Sequence, residues 1–455
     1  MHIPSSPRAD FFKAALLITI SAAASFASGQ VLSGSIYKLT SKSSGLAMED
    51  ASAHTNDGAF MDQWTYWGGD NQMWQVIAVG GGYYKLINGT SGKALEIYGS
   101  SMDDGTNLDQ WTYTGTDNQK WQINDVGGGF YSLINKNSGL AMEVSHGGNT
   151  NNSTLIDQWG YWAGDNQKWA FTVADTTPPA AEVAGYTNRS CYEDFSSTNA
   201  VDSYNTHTGS HTFYPLTFWS VKPMNPDQMV VTNGCLILGG VGGGGICTAY
   251  PSGGTNYVGK AYASGAYFEA TISFDPSQVT TNASSWPAFW SDPIEAMFGA
   301  WQWPGQATNY THSVEMDFME FNPAWTSGNT NIYSGTIHEW YGQKPYADIN
   351  NGGESGANFN NNHITVYTGT DWTVPHKIGC LWKPWTASSA GYIQMWFDGE
   401  PTTDTVTWTT DTIGNPPPNN AAWQFARTDQ SHFLPILSTG DICPMKVYEF
   451  QVWQK

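Results

Sequence analysis

The residues best suited to chemistry stand in one short stretch, Ser313-Val314-Glu315-Met316-Asp317-Phe318-Met319-Glu320-Phe321. It packs three carboxylates into six residues, interleaved with Val, Met and Phe. Alternation about Glu315 and Asp317 predicts a β-strand with both acids on one face and Val314, Met316 and Phe318 on the other. Glu320 is out of register by one residue, and a single β-bulge between Asp317 and Glu320 would return it to the acidic face. Three carboxylates on one face repel one another, a cost without purpose in a structural core. Retaining glycoside hydrolysis needs this arrangement: a nucleophilic carboxylate about 5–5.5 Å from a second one that is acid, then base. A solvated acidic edge strand would share the bare ExDxxE spacing. The apolar partners and aromatic surroundings argue against it.

The region expected to position this stretch is 185–455. It contains no convincing helix, and alternating segments such as Ala266–Ile272, Tyr392–Phe397 and Lys446–Trp453 are separated by Gly, Asn and Pro turns. That pattern predicts a β-sandwich. Gly240-Val241-Gly242-Gly243-Gly244-Gly245 matches GxGxxG, yet Ile246-Cys247-Thr248-Ala249-Tyr250-Pro251 offers no following helix, so it reads as a loop and not a dinucleotide site. Upstream, the Thr/Pro/Ala-rich run 174–184 interrupts all periodicity and reads as a short, fairly stiff linker.

Residues 31–173 repeat three times. Gly45-Leu46-Ala47-Met48-Glu49, Asp62-Gln63-Trp64 and Asp70-Asn71-Gln72-Met73-Trp74 return as Gly92–Glu96, Asp109–Trp111 and Asp117–Trp121, then as Gly139–Glu143, Asp157–Trp159 and Asp165–Trp169. Three copies of a four-strand unit, each too small to bury its own face, predict a closed trefoil with one shared core.

Composition narrows the partners. A formal charge of −21 leaves no basic surface for phosphates and argues against nucleic acid. Charged residues are 13% and aromatics 14% of the chain, which suits neutral, stackable ligands such as sugars. Residues 1–29 read as a secretory signal peptide, with Arg8 and Lys13, an apolar run from Ala14 to Ala24, and Ala27-Ser28-Gly29. The apolar run is too short for a membrane span, so a secreted, extracellular protein without membrane partners is expected. Cys191, Cys235, Cys247, Cys380 and Cys443 allow two disulfides and one leftover thiol, with connectivity open. Their spacings match no zinc site, and no metal or cofactor is called for. Nothing calls for an oligomer, so a monomer is expected. Asn88, Asn188, Asn282 and Asn309 open glycosylation sequons.

The triplicate Gln-x-Trp words resemble the ricin-B-type β-trefoil of the family 13 carbohydrate-binding modules. The resemblance implies that Trp74, Trp121 and Trp169 are core. It places sugar contacts on Asp62, Trp64 and Asn71, on Asp109, Trp111 and Asn118, and on Asp157, Trp159 and Asn166. Two positions depart from the family pattern: Glu49, Glu96 and Glu143 stand where many members have Asp, and Tyr66, Tyr113 and Tyr161 where many have Cys.

The C-terminal region resembles glycoside hydrolase family 16. Ser264-Gly265-Ala266-Tyr267-Phe268-Glu269-Ala270, Trp286-Pro287-Ala288-Phe289-Trp290, the ExDxxE strand, Thr336-Ile337-His338, Trp382-Lys383-Pro384, Trp396-Phe397-Asp398-Gly399 and Met445–Trp453 follow the family's order. The resemblance implies an all-β chain whose C-terminal half is a curved jelly-roll sandwich. It makes Glu315 the nucleophile, Glu320 the acid/base and Asp317 the residue that shapes the nucleophile's charge. A neighbouring ionised carboxylate is expected to raise Glu320. Trp286, Trp290, His338 and Trp340 become candidate substrate contacts, with Trp325 a weaker one, while Trp382, Trp396 and Trp453 read as packing residues. Val314 stands where the family usually has Gly, and the segment between Trp290 and Glu315 is longer than usual. Many members carry a structural calcium, for which no ligand cluster stands out here. The expected activity is endo-hydrolysis of β-1,3- or 1,3-1,4-glucan. The alternatives are a galactan of the agar or carrageenan type, cell-wall transglycosylation, and a non-catalytic glycan-binding lectin.

Overall fold

The computed structural model describes residues 31–175, 177–208, 210–217, 224–232, 234–239, 243–253, 256–279, 286–297, 310–324, 326–343, 352–365, 369–410, 425–440 and 443–455. These residues are nearly all strand and turn, and the helices among them are single turns such as Pro179–Ala184 and Ile294–Met297. The chain divides into two compact units, one ending at Pro179 and the other built mainly from 180–366 and 372–455.

The first unit is a β-trefoil-like sheet of twelve strands, four from each repeat. The first strand, Ile36–Ser41, pairs antiparallel with the last, Trp169–Asp175, in a register that sets Lys38 opposite Thr172. Closure of this kind leaves neither the first nor the last strand as an open sheet edge. The third strands of the repeats meet, with Leu155 opposite Asp62, Asp157 opposite Asn107 and Phe60 opposite Asp109. Trp74, Trp121 and Trp169 are fully buried in one core with Met48, Leu95 and Met142. Each indole N–H donates to a core-strand carbonyl, Met48 at 3.3 Å, Leu95 at 3.1 Å and Met142 at 3.2 Å. A buried indole keeps both its packing and its donor satisfied this way. Asn88 is no open sequon: its side chain is buried, donating to the Asn71 carbonyl at 3.0 Å and accepting from the Thr90 N–H at 3.0 Å.

The repeats also latch one another. Gln63 donates to the carbonyls of Asn149 and Asn151, Gln110 to those of His54 and Asn56, and Gln158 to those of Ser101 and Asp103. All three amides are fully buried. The middle residue of each Asp-Gln-Trp word therefore holds the hairpin loop of a neighbouring repeat.

The second unit has an eight-stranded and a seven-stranded antiparallel sheet. The first contains Ala266–Phe274, His376–Lys383, Gly391–Phe397 and Met445–Gln454; the second contains Ala288–Pro293, Tyr310–Glu320, Ile332–Gln343 and Phe433–Thr439. Side chains of the two sheets pack together: Phe268 stacks on Phe318 at 5.5 Å, Trp382 meets Phe433 edge-on at 5.1 Å, and Phe289 meets Phe450 at 6.3 Å. Trp382, Trp396 and Trp453 are buried as packing residues. Gly244–Cys247 is a strand, so the glycine run leads into no phosphate-binding helix.

Two expectations need correction. The last part of the expected spacer, Pro179–Ala184, is a helical turn whose Ala180 and Ala181 are buried against Tyr186, Tyr267, Leu381, Trp396 and Trp453. Small apolar side chains let that turn lie flat on the sheet, and composition alone does not reveal the docking. The cysteines form no disulfide: all five are buried free thiols. Cys191, Cys235, Cys247 and Cys380 sit in strand patterns where a thiol packs as a small apolar group.

Candidate functional site

In the second unit the acidic stretch forms the strand Tyr310–Glu320, flanked by Ala288–Pro293 and Ile332–Gln343. Val314, Met316 and Phe318 are fully buried toward the opposite sheet, so Glu315 and Asp317 point the other way. The register runs Glu315 opposite His338 and Asp317 opposite Thr336, then skips so that Glu320 lies opposite Ser334. Three residues on one strand face two on the other, a one-residue bulge that restores Glu320 to the face of Glu315 and Asp317. Beyond the bulge, the Phe321 N–H donates to the Pro287 carbonyl at 3.0 Å, and the Phe321 ring packs on Phe274 and Trp372. The shift in register is therefore pinned on its far side.

Each acid has a distinct tether. His338 Nε2 lies 3.1 Å from Asp317 Oδ2. The Trp286 indole N–H donates to Glu320 Oε1 at 3.1 Å. Trp290 pairs with Asp317 and so shares its face, and its N–H donates to Ser438 Oγ at 3.0 Å. Both tryptophans of the Trp-Pro-Ala-Phe-Trp stretch thus stand on the acidic face: one holds an acid, and the other is half-buried beside Leu434 and Ile436. Trp340 pairs with Ser313 in the strand register; its side chain and the whole of Trp325 lie outside the described residues.

Burial is the main reason that Glu320 is raised above the ordinary carboxyl range, while the Trp286 hydrogen bond and His338 pull it back. The expected cause, a neighbouring ionised carboxylate, is not among the causes found; removal from water does the work. Sequence reasoning missed one acid. Asp292 follows Ser291, which pairs with Met316, so alternation sets Asp292 level with Glu315 on the acidic face. It is buried, and burial followed by Glu315, Asp317 and Glu295 raises it well above the usual range. Among the described residues, no group of three or more His, Cys, Asp or Glu side chains is gathered as a metal would require.

In the first unit each repeat builds the same polar nest. Cross-strand pairing sets Glu49 opposite Asp62, Glu96 opposite Asp109 and Glu143 opposite Asp157, all six buried. Gln72 donates to Glu49 at 2.9 Å, Gln119 to Glu96 at 2.8 Å and Gln167 to Glu143 at 2.8 Å. Asn71, Asn118 and Asn166 are buried alongside, each amide donating to a backbone carbonyl: Asp50 at 3.1 Å, Ile97 at 3.3 Å and Val144 at 3.2 Å. Burial, then the facing glutamate, raises Asp62 to about 7 and Asp109 to about 8.

The expected Asp and Asn positions thus converge, around a glutamate the family pattern would have as Asp. The expected aromatics do not join them. Trp64, Trp111 and Trp159 are partly exposed at the strand end, where Trp111 lies beside Gly58 and Trp159 beside Gly105, in the hairpin loops of other repeats. The aromatic over the nest is a residue the repeat comparison passed over: Trp67 in the first repeat and Trp162 in the third, each hydrogen-bonded to its glutamate.

Residues 25–111 and 117–181 match the family model described as ricin-type beta-trefoil lectin domain-like. The first unit is a ricin-type β-trefoil lectin domain. The chain is 42% identical to the designed three-fold symmetric protein ThreeFoil, over 30% of this chain and 97% of that one, with a TM-score of 0.30. It is 34% identical to an exo-β-1,3-galactanase from Clostridium thermocellum over 30% of each chain, with a TM-score of 0.30. The Macrolepiota procera ricin B-like lectin, solved in complex with lactose, is 26% identical over 31% of this chain and 98% of that one, with a TM-score of 0.28. No curated protein matches the chain. The matched family is one of carbohydrate-binding lectin domains.

Proposed function

We propose that the protein is a secreted retaining endo-β-glycanase. Its sandwich would hydrolyse β-1,3- or β-1,3-1,4-linked glucan, and its lectin domain would hold glycan near the cleft. On this reading the two packed sheets are a curved jelly roll with the acids on its concave face. The observation that carries the proposal is the bulged strand: three carboxylates on one face, two of them tethered by His338 and Trp286. Glu315 attacks the anomeric carbon while Glu320, whose pKa burial raises, gives its proton to the departing glycosidic oxygen. Glu320 then takes a proton from water, which cleaves the glycosyl–Glu315 ester and returns both acids to their starting states. Asp317, held by His338, limits the charge on the nucleophile's side of the row. A covalently linked sugar-binding module raises the local concentration of polymer without new contacts in the cleft.

Reducing-end release from laminarin, lichenan, agarose and carrageenan, by the intact chain and by Glu315→Gln, tests the proposal. Release from laminarin or lichenan that vanishes in the variant is the expected result. Release from agarose or carrageenan alone would replace glucan by galactan. Lengthened oligosaccharides without net release would indicate a transglycosylase. Binding with no turnover on any polymer would leave a non-catalytic glycan-binding protein.

A further inference from the structure

Asp292 stands at the border of two environments on one sheet face. Its strand, Ala288–Pro293, pairs with Phe433–Thr439 on one side and with the acid-bearing strand on the other. On the first side its cross-strand partner is Leu434, which belongs to an apolar cluster with Ile294 and Ile436. Trp290 packs against the same cluster. Trp290 and Ile294 lie two residues before and after Asp292, so the cluster borders it along the chain as well. On the second side Ser291 pairs with Met316, and the register sets Asp292 against Glu315. Residues directly opposite on antiparallel strands have Cβ atoms about 4.5–5.5 Å apart. Asp292 therefore has apolar neighbours on three sides and the proposed nucleophile on the fourth.

An ionised carboxylate is costly in such a place unless a cation or donors repay its lost hydration. The nearby cations are engaged with other acids. His338 Nε2 is 3.1 Å from Asp317, His432 Nδ1 is 2.6 Å from Glu295 Oε1, and the buried Arg427 guanidinium is drawn to the same glutamate. The charges that bear on Asp292 are those of Glu315 and Asp317 on the central strand and of Glu295 on the turn Ile294–Met297, all of them acids. Burial, and after it Glu315, holds Asp292 well above the usual carboxylate range. The residue is only 2% exposed, and its Oδ1 has no hydrogen-bond partner among the described residues. Protonation answers all of this at once. A neutral carboxyl is a donor, and an ionised carboxylate on the next strand is a strong acceptor for it.

We infer that Asp292 is a positioning residue for Glu315, a fourth carboxyl that stays neutral and donates its proton toward the Glu315 carboxylate. Its use in cleavage rests on the glycanase reading, whereas the pair itself does not. A hydrogen bond to the ionised form lowers the pKa of Glu315, so the nucleophile keeps its charge at a lower pH than it would among acids and apolar groups alone. One Glu315 oxygen is occupied by the donor, and the other is left for the anomeric carbon. Asp292 keeps its proton through both steps of the displacement.

Two variants of the full chain and one direct titration test this. Asp292→Asn keeps a neutral donor of the same shape, whereas Asp292→Leu keeps the volume and removes the donor. With laminarin or lichenan as substrate, Asp292→Asn should leave the acid limb of the kcat profile in place, and Asp292→Leu should move it to higher pH by about one unit. If Asp292 is ionised instead, both variants remove a negative charge and both limbs move to lower pH, which overturns the inference. Equal losses of kcat in the two variants with no movement of the limb also overturn it, and leave Asp292 a packing residue. Carboxyl resonances of the chain labelled at Asp and Glu read the same pair without turnover. Asp292 should lose its proton above Glu315, and its pKa should fall in Glu315→Gln. Titration of Asp292 in the ordinary carboxylate range, or no change in Glu315→Gln, overturns the inference and leaves the glycanase reading standing. If no polymer is cut, the glycanase reading fails and the titration still decides: a coupled pair upholds the neutral Asp292, and an uncoupled one ends it.

Discussion

Both units line up buried carboxylates on a strand face, and they hold them in opposite ways. In the trefoil each Glu–Asp pair is flanked by neutral amides, Gln72 and Asn71 in the first repeat. In the sandwich the acids meet an imidazole and an indole, His338 on Asp317 and Trp286 on Glu320, and a bulge spaces the third acid from the first two. Amide donors leave a carboxylate pair free to share a proton and to accept hydroxyls, which is enough for binding. Unequal partners along one strand give its acids different surroundings, the kind of inequality that the proposed hydrolysis would need.

The largest effect that would break this contrast is at Glu315. On the catalytic reading, Glu315→Gln lowers kcat by at least about 10³-fold, because it removes the nucleophile and leaves the fold's packing intact. Sugar retention by the trefoil should not change, and polymer pull-down beside reducing-end release checks both at once. Residual activity within about tenfold of the native chain would show that the acid row serves something other than cleavage.

The next effect falls on the trefoil alone. Gln110 is fully buried and donates to the carbonyls of His54 at 2.8 Å and Asn56 at 3.2 Å. Gln110→Ala strands both carbonyls and opens a void, and should cost about 2–4 kcal/mol. Thermal unfolding should show the lectin transition lowered while, on the catalytic reading, release of reducing ends at low temperature is unchanged. If activity falls in parallel, the two units do not fold independently.

A smaller effect sharpens the role of the tether. Trp286→Phe keeps the ring and deletes the N–H donated to Glu320. That bond lowers the Glu320 pKa, so its loss raises the pKa further. Glu320 must be protonated to act as acid, so the basic limb of the kcat profile should move to higher pH, with kcat down by about tenfold. A shift to lower pH would mean that Trp286 supports the neutral acid instead.

Much of this was legible in the sequence, for identifiable reasons. A triplicated Asp-Gln-Trp word repeats its own signal, so the trefoil and its buried Trp74, Trp121 and Trp169 could be read without a structure. The bulge before Glu320 followed from parity, since an acid one residue out of step must be brought back or wasted. The missed residues depend on pairing or on exceptions. Trp67 and Trp162 escaped because repeat comparison rewards what all three copies share, and Thr114 breaks the pattern; the coincident Gly-to-Thr change at 116 was the available clue. Asp292 escaped because its face is set by the neighbouring strand's register, which Trp-Ser-Asp-Pro does not encode. The upward shift of Glu320 was foreseen for the wrong reason, since burial is a property of the packed sheet.

The smallest effect falls on a single nest. Asp109 is fully buried, neither of its carboxylate oxygens has a hydrogen-bond partner, and its pKa is raised to about 8. A carboxyl whose pKa is higher in the folded chain binds more protons there than when unfolded. Stability is then greatest below the unfolded value of about 3.9 and declines as pH rises toward 8. Asp109→Asn removes the titration while keeping the shape, so it should raise the trefoil's Tm at pH 8 by a few degrees, at about 2–4 °C per kcal/mol, and change it little at pH 5. Equal Tm gains at both pH values would mean that Asp109 is already ionised in the folded chain at pH 5.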